Sequence, residues 1–204
     1  MGRRPDDLPA SIIRQQGDVA ALRAFFTDWD PLLDTTLSLV TSVQKWKLMH
    51  LQPLDTWVRG AVVLMGDAVH PTLPYQAQGA AMALEDGATI AELLGCLVNH
   101  RCGGSPRDVG TLSGDLERLL GLYQQLRKER TELNVRGAES NRVFLHLPLG
   151  PKQEERDQAL RRWDWEDVRA RSEWPFLDAS YAKKLMGFDA EKEARTAFAT
   201  EFTR

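Results

Sequence analysis

The chain has two cysteines and four histidines in 204 residues. Cys96 and Cys102 are too few for a disulfide framework and lack the further close-spaced ligands of a zinc site. Two free thiols in a reducing, cytoplasmic setting are expected. His50, His70, His100 and His146 show no pairing at helical spacing, so no metal site is expected. No apolar run approaches the roughly 18 residues of a membrane span. The stretch "MGRRPDDLPA" carries charge with no apolar segment behind it, unlike a secretory signal. Asp6 stands where a myristoylation signal starting at Met1-Gly2 would need a hydroxyl residue. The formal net charge is only −3, which disfavours nucleic acid or an anionic membrane as the main partner. No Gly-x-Ser-x-Gly supports a hydrolase. Internal repeats and low-complexity tracts are absent. What remains, 43% hydrophobic and 27% charged residues, is ordinary globular composition.

Residues 1–17 read as a loop or ragged end. Asp18 is a plausible N-cap for "VAALRAFFTDW", and Pro31 can open a second helix over "PLLDTTLSLVTS". In "VQKWKLMHL" the alternation suits a strand with one wet face, and Pro53 with "DTWVRG" makes a turn. "AVVLMG" is short, continuously apolar and rich in β-branched residues, so residues 61–65 are expected to be a strand buried on both faces, as in a parallel sheet. Helices follow over 78–98 and 115–144, joined by an exposed loop over "NHRCGGSPRDVGTLSG". The second helix carries Leu116, Leu119, Leu120, Tyr123, Leu126, Arg130 and Leu133. Residues 151–204 resemble a helical tail wrapping a neighbour, with Trp163, Trp165 and Trp174 as packing anchors. A doubly covered strand needs partners on both edges, yet one other segment reads as a strand. The expected fold is therefore an α/β fragment, mostly helical, with few strands and long C-terminal helices: a piece of a larger fold.

The stretch "VVLMGDAVHPTLPYQAQGAAMALEDGA" carries the chemistry. Open α/β sheets place ligands at the C-terminal ends of their strands, where Gly66-Asp67 would project a carboxylate able to accept hydrogen bonds from hydroxyls. Pro71 and Pro74 stiffen the loop that follows. "AQGAAMALEDGA" then opens a helix with almost no side chain in its first turn. Its N–H groups are available to a ligand, and the helix dipole adds about half a positive charge. Without a P-loop lysine and hydroxyl, a flat delocalised anion suits this start better than a triphosphate. Gly-Asp turns and glycine-alanine helix starts are common singly; their ordered succession carries the signal. His70 is expected to order the loop. Glu85 and Asp86, being adjacent, face different directions and form no acid–base couple. Asp86 is expected to satisfy a neighbouring backbone group or arginine, and Arg127 and Arg130 to be solvated or salt-bridged.

"GDAVHPTLPYQAQGAAMALEDGATIAELL" resembles the second flavin-contacting motif of the FAD-dependent aromatic hydroxylases, the single-component monooxygenases of the p-hydroxybenzoate hydroxylase fold. "WDPLL", "SVQKWKLMHLQPLDTWVRGAVVLMGDA", "LRKERT" and "HLPLGPKQEERD" are similar to the salicylate hydroxylase-like branch, and the likeness spans roughly residues 18–160. The resemblance implies that Gly66 and Asp67 meet the ribityl chain of FAD, with Asp67 accepting from a hydroxyl. It implies that backbone N–H groups around Gln78, Gly79 and Ala80 face the pyrimidine side of the flavin ring, and that Pro74 lies near an aromatic, salicylate-like substrate. Ala77 departs from the glycine common in the wider family. The implied activity is hydroxylation of an activated phenol with O₂ and NAD(P)H, and no catalytic residue is assigned within this chain.

The family's strand–GxGxxG–helix for the ADP half of FAD, its mid-chain Asp-Gly motif and its central substrate sheet are not found. The chain therefore resembles the C-terminal part of such an enzyme, the N-terminal half being missing. Residues 1–52 would end a substrate-domain region, 53–148 would form the C-terminal part of the FAD-binding domain, and 149–204 a helical tail. One alternative is a truncated, inactive fragment acting at most as a helical partner-binding module. Another keeps the flavin but changes the acceptor, as in an epoxidase- or halogenase-like relative.

Overall fold

A computed structural model of the chain describes residues 11–49, 51–102, 109–167, 169–175 and 177–202. The expectations for residues 1–10, for His50 and for the 103–108 part of the inter-helix loop lie outside the described residues. The chain divides into two compact units, one up to Leu48 and one from Met49 onward.

In the first unit, β1 (Arg14–Gln16) pairs antiparallel with β2 (Gln44–Trp46) and flanks α1 (Val19–Phe25) and α2 (Pro31–Ser38) in sequence. The Asp18 carboxylate accepts from Ala20 N at 2.8 Å, the expected N-cap. Asp30 caps α2 in the same way, with Pro31 in its first turn. The Arg23 guanidinium donates to the carbonyls of Leu37, Ser38 and Val40, which ties α1 to the end of α2 and satisfies carbonyls that a helix terminus leaves open. Strand β1 corrects the expectation of a loop over residues 1–17. Its three residues are polar and exposed, so they lack the alternation that announces a strand. The pairing rests instead on backbone hydrogen bonds continued by Lys47 N to Ile13 O and Gly17 N to Val43 O, each 2.8 Å.

The second unit is helical. Two short strands, β3 (Val58–Arg59) and β4 (Val62–Val63), precede α3 (Gly79–Cys102), α4 (Val109–Leu145), α5 (Pro151–Arg162), α6 (Ala179–Met186) and α7 (Ala190–Phe202). The core gathers Trp57, Val69, Leu93, Leu97, Leu119, Leu120, Tyr123, Ala194, Phe198 and Phe202. Helix α7 lies against α3, where the Phe198 and Phe202 rings stack with centroids 4.5 Å apart; the neighbour wrapped by the tail is α3 of the same chain. Trp174 packs on Phe144, whereas Trp165 is 66% exposed and is no anchor.

The expectation of a doubly buried strand over 61–65 is corrected. Only Val62–Val63 is strand, paired antiparallel with Val58–Arg59 around Gly60, whose φ of +59° suits glycine. Val62 is 66% exposed, and Leu64 and Met65 are also exposed. An apolar strand is buried on both faces only inside a sheet whose two faces are covered by packed helices. Among the described residues β3 alone pairs with β4, and the sheets are two antiparallel pairs. The fold is accordingly a mostly helical α/β fragment, with no complete parallel sheet among the described residues. Among the described residues no helix is long and apolar enough to cross a membrane, and no group of three or more His, Cys, Asp or Glu could hold a metal ion. Cys96 and Cys102 are unpaired.

Candidate functional site

Gly66 adopts φ +58° and a Cβ there would press on Ala83 Cβ at 3.3 Å, so both conformation and the closeness of α3 demand glycine. It opens a 3₁₀ turn, Gly66–Ala68, which leaves the Asp67 side chain exposed and turns Val69 and His70 inward. Gly66 N donates to Asp86 Oδ2 at 2.8 Å, and His70 Nε2 lies 2.7 Å from the same oxygen. His70 thus orders the loop, as its position suggests.

A second 3₁₀ turn, Pro74–Gln76, ends at Ala77 in the left-handed region, φ 53°. A non-glycine residue there stores roughly 1–2 kcal/mol. Pro74 and Ala80 are exposed, while Gln78 and Gly79 are half-buried. The first intrahelical bond of α3 is Met82 N to Gln78 O, 2.9 Å, and Gly79, Ala80 and Ala81 bring no side chain that could accept from their own orphan N–H groups. A Cβ at Gly79 would meet only Thr72 Cγ2 at 3.4 Å, an ordinary contact. Among the described residues nothing demands glycine there, and the bare helix start leaves room for a flat group to approach the backbone closely. The residues therefore fit the ring of a flavin.

Beneath this surface lies a buried ionic network. Asp86 is 0% exposed and receives Arg127 Nε at 2.7 Å on its other oxygen. Burial drives the Asp86 carboxyl upward, but hydrogen bonds from His70, Gly66 and Arg127 outweigh it and hold the group below the ordinary carboxylate range. Arg127, also 0% exposed, places Nη1 2.7 Å from Glu85 Oε2 and donates Nη2 to Met82 O. Arg130 grips Glu85 with two donors at 2.7 and 2.5 Å. The adjacent carboxylates of Glu85 and Asp86 do diverge, but both end on Arg127, a convergence that their spacing did not show.

The network fixes a pH dependence. Asp86 has a folded value below its unfolded one, so it stabilises the fold above the unfolded value of about 3.9, and that contribution is lost as pH falls through the folded value. Asp178, held at about 2 by Ser180 and the N–H groups of Tyr181 and Ser172, behaves alike. Urea midpoints followed by circular dichroism should stay flat from pH 7 to about 5 and fall steadily below about 4. A midpoint unchanged down to pH 3 would contradict the network.

Trp57, placed in a turn by its sequence neighbours, is a core residue whose backbone N–H donates to Gln124 Oε1 at 2.7 Å. Tyr181, Arg130 and Phe188 also reach the site from α4 and the C-terminal segment: Gln76 Nε2 donates to Tyr181 Oη at 2.5 Å, and the Phe188 ring lies 4.1 Å from the Arg130 guanidinium carbon. No spacing rule joins these positions to the loop. Asn141 Nδ2 donates to Tyr75 O at 3.1 Å and holds the second turn against α4.

Residues 28–105 match the family model described as FAD binding domain. The FAD-dependent monooxygenase OpS4 of Beauveria bassiana is 39% identical over 199 residues, which cover 96% of this chain and 43% of that protein. The 3-amino-4-hydroxybenzoate 2-monooxygenase of Streptomyces cremeus is 35% identical over 161 residues, 79% of this chain and 36% of its own length. The 6-hydroxynicotinate 3-monooxygenase of Pseudomonas fluorescens is 38% identical over 109 residues, 53% of this chain and 25% of its own length. In fold, the chain resembles a salicylate hydroxylase solved with its substrate, at a TM-score of 0.65 and 23% identity, over 96% of this chain and 40% of that one. The chain spans less than half the length of these relatives. By its match to the FAD binding domain model and by its relatives, it belongs to the FAD-dependent monooxygenase family.

Proposed function

We propose that this chain forms the ring-side wall of an FAD site in an NAD(P)H-dependent aromatic hydroxylase of the salicylate hydroxylase-like branch. The remainder of the fold, a glycine-rich part for the ADP half of FAD included, completes the site. The observation that carries this reading is the bare start of α3 at Gly79–Ala81, held in place by the buried Asp86–Arg127 network. FAD, when bound, supplies the electron transfer from NAD(P)H and the oxygen chemistry.

The chain's own residues bind and polarise. Gly66 sets the turn that presents Asp67, whose exposed carboxylate accepts from a ribityl hydroxyl. The N–H groups of Gln78, Gly79 and Ala80 face the pyrimidine edge, where the helix dipole favours the negative charge of the reduced ring. Pro74 stiffens the loop beside the substrate. The relatives named for hydroxynicotinate and aminohydroxybenzoate act on small hydroxylated aromatic acids, and that class is the substrate proposed here, in a cytoplasmic setting consistent with two unpaired cysteines. A second reading, an inactive fragment that binds a partner through its helices, draws on exposed Leu84 and Val98 of α3.

Replacing Asp67 by alanine in the completed enzyme should weaken FAD binding by roughly 1.5–3 kcal/mol, on the order of ten- to a hundredfold. Fluorescence titration of the apoprotein measures this, and an unchanged dissociation constant would remove Asp67 from the site.

A further inference from the structure

Gln76 lies two residues before Gln78, the entry to α3. Its amide Nε2 donates to Tyr181 Oη at 2.5 Å. The Tyr181 hydroxyl lies 3.4 Å from the carbonyl of Leu133 on α4, where it donates. Burial outweighs the neighbouring Gln76 and arginines and raises the Tyr181 hydroxyl above its ordinary range, so at neutral pH it keeps its proton. The pair lies against α4 at Gly137, where a Cβ would fall inside both the hydroxyl and the amide. Glycine weakens a helix interior, and here it makes room for that pair.

Tyr181 lies on the short helix α6, which is also held at its other end. Arg130 donates Nη1 to Lys184 O at 2.9 Å and Nη2 to Leu185 O at 3.0 Å while its other bonds grip Glu85 on α3. Phe188 lies beside Arg130 and Arg127. Asp178 starts α6 by accepting from Tyr181 N at 2.7 Å, so the cap that begins the helix also sets the tyrosine. Helix α6 thus reaches the turn before α3 through Tyr181 and Gln76, and the second turn of α3, just beyond it, through Arg130 of α4 and Glu85. The segment lies beyond the residues that match the FAD binding domain model, 28–105.

We infer that α6 is a clasp on the ring-side site and that Tyr181 is a positioning residue: it fixes the Pro74–Gly79 backbone, left-handed Ala77 included, and so the direction of the N–H groups at the start of α3. The inference rests on the assignment of that helix start to the flavin. Tyr181 acts through Gln76.

The test is hydrogen exchange by mass spectrometry on the full chain, as wild type and as Tyr181→Phe, which keeps the ring and removes only the hydroxyl. Loss of a hydrogen bond of ordinary strength should raise exchange in peptides covering 74–83 by about tenfold, where Ala77 N and Met82 N are among the bonded amides. Peptides covering 112–126 and 190–202 should keep their rates. Gly137→Ala, which crowds the same pair from the side of α4, should give the same local signature; if that variant does not fold, Tyr181→Phe alone decides. Unchanged exchange over 74–83, or a uniform rise along the chain, would overturn the clasp. Riboflavin titration of the same two proteins separates the two assignments. Weaker binding by about tenfold alongside faster local exchange supports both. Faster local exchange with unchanged riboflavin affinity would leave the clasp standing and overturn the flavin assignment of the helix start.

Discussion

Asp86→Ala is expected to destabilise the chain by about 3–5 kcal/mol, the cost of stranding a buried charge by removing its partner. Arg127 is 0% exposed and keeps only Glu85 as a counter-charge once Asp86 is gone. Gly66 N and His70 Nε2 lose their acceptor at the same time, and a buried donor left unmade carries its own penalty. For a chain of this size the melting temperature should fall on the order of 10 °C. Asp86→Asn should fall between, because an amide keeps one acceptor but turns an N–H₂ toward a donor. Adding Arg127→Met to Asp86→Ala should recover part of the loss, since the stranded charge goes with it. Asp67→Ala, at an exposed position, should stay within about 0.5 kcal/mol of wild type. Thermal melts by circular dichroism decide this, and an Asp86→Ala midpoint within a degree or two of wild type would refute the role given to the network.

Much of the helical frame is legible in the sequence. The periodicity predicts helices over 78–98 and 115–144, and α3 and α4 occupy Gly79–Cys102 and Val109–Leu145. Their inner boundaries differ because tertiary contacts override local signals. His100 and Arg101 sit well at the negative end of α3, and Arg101 pairs with Asp115 at 2.9 Å across to α4. Gly110 and Gly114 read as loop residues, yet both lie within α4. Asp86 as a structural acceptor for backbone and arginine was readable from its helical position next to Glu85. Its partners were not, because Gly66, His70 and Arg127 are brought together only by the loop's return onto α3. The Gln76–Tyr181 bond spans 105 residues, beyond any local pattern. The misread segment is "AVVLM", whose composition reports the environment that apolar residues require but not whether the strands that would cover them lie within this chain.

The other large effect concerns the cofactor. In the proposed reading the chain meets only the ribityl chain and the ring of FAD, through Asp67 and the N–H groups of Gln78, Gly79 and Ala80. It contains no GxGxxG, the glycine turn and helix start that normally anchor the pyrophosphate. Binding by the ring half alone should give up several kcal/mol and leave FAD affinity at micromolar or weaker. The purified chain should then be colourless after gel filtration and should show no salicylate-stimulated oxidation of NAD(P)H. Copurification of stoichiometric FAD with substrate-stimulated turnover would contradict this.

The most direct measurement compares three ligands on the isolated chain by fluorescence and isothermal titration: FAD, riboflavin and ADP. A site that holds the ring and ribityl chain alone should bind FAD and riboflavin with dissociation constants within about threefold of each other, a difference under about 1 kcal/mol. ADP should not displace either, and Asp67→Ala should weaken both by a similar factor. Competition by ADP, or FAD bound on the order of a hundredfold more tightly than riboflavin, would place the main anchor on the adenine side and contradict the assignment of residues 66–82 as a ring-side wall.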